Sequence, residues 1–125
     1  MNESVQEGNG QVKIADEVVA TIAGVAAMEV TGVAGMSGGI VGGITEMLGR
    51  RSLQKGVRVT VTGQVAVIDT YLVVYYGVRI PDVAQKVQEV VKKAVDSMTG
   101  LIVSEVNIHI QGVTADKPAK VEEAQ

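Results

Sequence analysis

His109 is the single histidine of a 125-residue chain. Glu105, Asn107 and His109 recur at every second residue, so they share one side of an extended stretch. An imidazole beside a carboxylate is the starting material for acid–base chemistry or for a metal site. Asp69 is the other carboxylate that such chemistry would call on. No pair among Asp69, Glu105 and His109 has the spacing or support expected of a paired acid and base. One histidine with polar strand-mates is a weak metal signal, because a two-histidine or histidine–cysteine set is absent and the chain contains no cysteine. The reading is therefore an exposed strand histidine, no enzyme and no cofactor.

A second candidate lies between Gly32 and Gly49, GVAGMSGGIVGGITEMLG, which holds seven of the 15 glycines. Glycine lets backbone N–H groups approach an anion, as in phosphate-cradling loops. Here no Gly-Lys-Ser/Thr follows and no G-x-G-x-x-G with a preceding strand is present. A GxxG reading, Gly32 to Gly35, is similar to the KH loop that clamps RNA backbone, but its middle residues are Val33 and Ala34, without a cation. A connector is the plainer reading. Ile40, Val41, Ile44, Met47 and Leu48 could form a short apolar helix face, which would be adhesive if exposed. Arg50, Arg51, Lys55 and Arg58 form a basic cluster that could contact an anion, or be a solvated loop.

The elements that must position these residues are legible from periodicity. Ile14, Val18, Ile22 and Val25 define one face of a helix ending by Thr31-Gly32, widened by Ala15, Ala23 and Ala26. Val57, Val59 and Val61 alternate with Arg58, Thr60 and Thr62, the pattern of a half-buried strand. Gly63-Gln64 is a turn. The next strand runs from about Val65 to Tyr76. Its inward face is Ile68, Thr70, Leu72, Val74 and Tyr76; its outward face, with Asp69, Tyr71, Val73 and Tyr75, is only half polar. Pro81 and Asp82 mark a helix start, with Asp82 and Gln85 spaced as a capping box. That helix continues to about Thr99 with Val83, Val87, Val90, Val91, Ala94, Val95 and Met98 as its apolar stripe. The last strand, Leu101 to Gln111, turns Ile102, Val106, Ile108 and Ile110 to one side, with Ser104 among them.

The spacing predicts an α+β domain: a small mixed or antiparallel sheet of three to four strands with two main helices packed on it, in the order α, glycine-rich segment, β, β, α, β. The domain spans 12–113, after a loose N-terminus over 1–11 and before a charged, disordered tail over 114–125. The aliphatic core is sufficient at 46% hydrophobic residues without Trp or Phe. A net charge of −3 weighs against a general nucleic-acid binder. No apolar run reaches the roughly 18–20 residues that cross a bilayer, and the polar N-terminus lacks a signal-peptide layout. The expected location is cytoplasmic, with any membrane attachment through a partner.

Several phrases, in order and spacing, resemble the alkaline shock protein family of Gram-positive envelope stress response proteins. They are QVKIADEVVATIAGVAAMEVTGVAGM, KGVRVTV, VAVIDTYLVVYYGVRIPDVAQKVQEVV and MTGLIVSEVNIHIQGV, covering roughly residues 10 to 113. The chain departs from the family pattern at Thr70, where many relatives carry Leu, and at Tyr75, where Glu is frequent. The resemblance implies an α+β domain without known catalysis and with no catalytic residues to transfer. It also implies a role in envelope homeostasis, with self-association in some relatives and, in some, attachment to the inner membrane face through a small membrane-anchored partner. The leading expectation is a scaffold acting as a homo-oligomer through Tyr71, Val73 and Tyr75 and through Ile40 to Leu48. The alternative is a KH-like RNA-binding domain using the glycine-rich segment with Arg50, Arg51, Lys55 and Arg58.

Overall fold

The structure, a computed structural model, describes residues 10–37 and 56–115. Most of the glycine-rich segment, nearly all of the N-terminal stretch and nearly all of the charged tail lie outside the described residues. Six elements follow in chain order: α1 (Asp16–Met28), β1 (Val33–Met36), β2 (Val57–Thr62), β3 (Val65–Tyr75), α2 (Ile80–Thr99) and β4 (Ile102–Thr114). Strand β3 is the axis of a four-stranded mixed sheet. β2 pairs antiparallel with its first half and β1 antiparallel with its second half, so these two lie end to end along one edge. β4 runs parallel to β3 along the other edge. A parallel neighbour needs a crossover connection, and α2 supplies it.

The core lies between one face of this sheet and the two helices. Ala66, Ile68, Thr70, Leu72 and Val74 alternate inward from β3 and are all buried. Val83, Val87, Val91 and Val95 recur every four residues on α2 and meet them. Valine is a mediocre helix former, so this burial is what holds α2 in place. Gly100, at φ 78°, closes the helix by donating its N–H to the carbonyl of Asp96 at 2.9 Å. The two-residue turn Gly63-Gln64 joins β2 to β3, with Gly63 at φ 63°.

The structure corrects the sequence reading at several points. Val33–Met36, placed above in the glycine-rich segment, is a strand; its position at an edge of β3 compensates for its weak strand composition. Helix α1 buries Val19, Ala20, Ala23, Ala26 and Ala27, while Val18 and Val25 are 48% and 42% exposed. The alanines face inward because they let α1 approach the valine stripe of α2 closely; the larger valines drew the periodicity one residue away. Helix α2 begins at Ile80, so Asp82 lies within its first turn. No side chain caps it, and the capping box does not form. Instead Arg79 Nε lies 3.3 Å from Asp82 Oδ2 at the surface. Met98 is 68% exposed and Tyr76, beyond the end of β3, is 76% exposed.

In β4 the alternation changes phase. The register jumps from Ala66↔Val103 to Val67↔Glu105, leaving Ser104 as an extra residue. Val103 is therefore buried and Ile102 is 55% exposed, although Val106 still points inward. A second irregularity follows at Gln111, between Leu72↔Ile110 and Val73↔Gly112. β4 also takes in Thr114, whose carbonyl accepts the Tyr76 N–H at 2.8 Å.

Candidate interaction surface

With both helices on one face, no other described element covers the opposite face of the sheet. Along β3 this outer face carries Val67, Asp69, Tyr71, Val73 and Tyr75, every one half-buried. The predicted trio Tyr71, Val73 and Tyr75 thus lies in one row, as strand alternation requires. Of the predicted basic cluster, Arg58 stands exposed on β2 directly opposite Asp69. Arg50, Arg51, Lys55 and the apolar set Ile40, Val41, Ile44, Met47 and Leu48 lie outside the described residues.

The parallel register of β3 and β4 sets Tyr71 beside His109 and Asp69 beside Asn107. The Tyr71 and His109 rings stack with centroids 4.4 Å apart and planes 9° from parallel. His109 Nε2 lies 3.1 Å from Asp69 Oδ1. The side chains are 42% and 23% exposed, respectively. That contact is a hydrogen bond for a neutral imidazole and an ion pair once the ring is protonated. Sequence reasoning found no supported pair here, and the structure corrects that. The contact arises from alignment of two strands separated by a helix, which local spacing does not encode. Glu105 stays apart, alongside Val67, and accepts a bond from Asn107 Nδ2 at 3.4 Å.

The cluster sits on a sheet surface that no described element covers. Beside it Ser37, Val57, Arg58, Tyr71 and Gln111 line a shallow depression of about 350 Å³. Ser37 Oγ donates to Gln111 Oε1 at 2.9 Å across it. Among the described residues no group of three His, Cys, Asp or Glu could hold a metal ion. An imidazole fixed by a carboxylate and a stacked ring is well suited to stiffen this face. Catalysis would further require a reacting group placed against it.

Tyr71 also anchors the backbone. The Ser37 N–H donates to its carbonyl at 2.7 Å, and its own N–H donates to the Gly56 carbonyl at 2.8 Å. Ser37 and Gly56, far apart in sequence, therefore meet at one residue of β3, beside the outer face.

A second apolar feature escaped the sequence reading. Ile22, Val25 and Ala26 of α1 and Ala94 and Met98 of α2, with Thr21 and Glu29, line an open groove of about 380 Å³. The exposed Val25 of α1 was its signal. It was read as core because periodicity alone does not say which side of a stripe meets the sheet. Among the described residues no helix is long and apolar enough to cross a membrane.

The model of the alkaline shock protein family, described as having a cell envelope-related function, matches residues 4–115. An uncharacterized Bacillus subtilis protein, YqhY, is 45% identical over 111 residues, covering 89% of this chain and 82% of its own. A second from that organism, YloU, is 41% identical over 111 residues, covering 87% and 92%. A Streptococcus pyogenes protein named as a stress response regulator gls24 homolog is 28% identical over 114 residues, covering 90% and 64%. A solved MamM-CTD structure overlaps 78% of this chain and 99% of its own at 18% identity and a TM-score of 0.49.

Proposed function

The chain belongs to the alkaline shock protein family, whose function is cell envelope-related, and we propose that it serves the envelope as a non-catalytic scaffold. In this reading it self-associates and binds other proteins at the inner membrane face, from the cytoplasmic side, with attachment through a small membrane-anchored partner. One observation carries the proposal: the outer sheet face presents Tyr71, Val73 and Tyr75 in a row that no described element covers. Aromatic and aliphatic side chains on a flat, ordered face are the composition of protein–protein contacts. The name of the gls24 homolog, a stress response regulator, supports a stress-linked role. Arg58 stands in register with the acidic Asp69 on the neighbouring strand, and a basic residue beside an acidic one supports a protein partner over nucleic acid.

The test is affinity capture from a native membrane fraction, with light scattering on the purified chain. Specific retention of an envelope protein and a mass above that of one chain are expected. A strict monomer at high concentration that retains nothing overturns the proposal, as does a salt-sensitive shift with single-stranded RNA in place of protein capture.

A further inference from the structure

The far edge of β4 carries a second message. Among the described residues no strand pairs with it. The direction of its backbone groups follows from two bonds. The Asn107 carbonyl accepts from Thr70 Oγ1 on the β3 side at 3.5 Å, whereas the Val106 carbonyl accepts from Gln88 Nε2 of α2 at 3.1 Å. Backbone groups alternate along a strand, so those of Ile108 and Ile110, like those of Val106, point away from β3. Helix α2 shields the start of this edge, with Lys92 Nζ on the Val103 carbonyl at 3.4 Å and Gln88 on Val106. Among the described residues no α2 side chain bonds to the edge beyond Val106. Between the extra residues Ser104 and Gln111, the run from Val106 to Ile110 keeps a regular register with β3. It contains neither Pro nor Lys, the residues that ordinarily blunt an open edge.

The sequence of that run, Val-Asn-Ile-His-Ile, is chemically symmetric about Ile108. Folded against itself antiparallel, with a two-fold axis at Ile108, it sets Val106 opposite Ile110, Ile108 opposite Ile108, and Asn107 opposite His109. Apolar meets apolar on the helix side, and polar meets polar on the outer face, with no like-charged carboxylates or ammonium groups opposed. The Val106 carbonyl has a second lone pair, so its bond to Gln88 is compatible with a strand bond. We propose that the β4 edge from Val106 to Ile110 is the site at which a second copy of this chain adds its own β4, joining two sheets into one across a two-fold axis. The inference deepens the scaffold reading, on whose self-association it rests. It also aligns the outer faces of the two copies as one continuous surface.

The absence of cysteine from the sequence makes the register testable with introduced thiols. Asn107→Cys and His109→Cys are prepared separately, then oxidised alone and mixed, with light scattering on the unsubstituted chain in parallel. In the proposed pairing, positions 107 and 109 of opposite chains fall within disulfide reach, while like positions are diagonal and farther apart. The mixture should therefore cross-link roughly tenfold faster than either variant alone. An oligomeric chain whose mixture shows no such advantage overturns the β4 pairing and leaves self-association standing. A strictly monomeric chain overturns both. A monomer whose Ile108 and Ile110 amide signals move with an added peptide of alternating apolar residues assigns the edge to a foreign strand and likewise overturns pairing between copies.

Discussion

Thr70 is the one polar side chain buried in the core among the described residues, with no exposed surface, and its hydroxyl reaches only the Asn107 carbonyl at 3.5 Å. At that length the bond is weak, so burial of the oxygen is only partly offset. Thr70→Val keeps the branched shape, removes the hydroxyl and should stabilise the fold by about 1 kcal/mol, read as a higher midpoint in urea with an unchanged slope. Gly32 shows the opposite balance. It joins α1 to β1 at φ 107°, and a Cβ there would sit 2.8 Å from Val83 Cγ2. Gly32→Ala combines backbone strain with a clash against a packed valine and should cost roughly 1–3 kcal/mol. An unchanged urea midpoint would show that the turn can relax freely. The Asp69, His109 and Tyr71 cluster obeys the same local logic: a ring held by a stack and a carboxylate is ordered cheaply, because its neighbours in register are already fixed by the ladder.

Helix α2 makes the sharpest prediction at the level of elements. Val91 is fully buried at the middle of the valine stripe, within a core cluster whose described members are aliphatic. Val91→Asp leaves a carboxylate unpaired in the core and should destabilise the fold by at least about 3 kcal/mol, seen as a large fall in thermal midpoint. The stripe itself was legible, because period-four valines against charged neighbours are a strong local signal. So were β2, the Gly63-Gln64 turn and the inward face of β3 up to Val74. Three features were not, each for a physical reason. The four residues of β1 are too few, and too close to glycines, to show a period; their partner β3 makes them a strand. The inward side of α1 is chosen by closeness of approach, which favours alanine over the more hydrophobic valine. The phase change at Ser104 comes from a bulge, a property of two strands together. For the same reason the outer row of Tyr71, Val73 and Tyr75 could be read from alternation, whereas the Asp69–His109 contact needed the parallel register.

At the scale of the whole fold, the decisive asymmetry among the described residues is that both helices cover one side of the sheet and none of the described elements covers the other. Two uses of that surface make opposite demands on its residues. If it works by adhesion, the apolar row matters and His109 serves only as a stiffener. If it works by proton transfer, His109 matters and the row is scenery. Tyr75→Glu separates them, since Tyr75 is half-buried at the end of β3 on the outer face, where a carboxylate can reach water and leave the core undisturbed. The position lies at the end of the strand on the side away from the helices, so the variant is expected to fold. Replacing an aromatic contact by a charge typically weakens a protein interface by about 2 kcal/mol or more where the residue is central, roughly thirtyfold in affinity. Capture of envelope proteins from a membrane fraction should then fall sharply with Tyr75→Glu, while the thermal midpoint stays near that of the parent chain. His109→Ala removes the stack and the carboxylate contact together, yet keeps Tyr71, Val73 and Tyr75, so capture and physiological function should persist. Loss of function with His109→Ala in a folded protein, together with full capture by Tyr75→Glu, would reverse the assignment and make the imidazole the working group of this face.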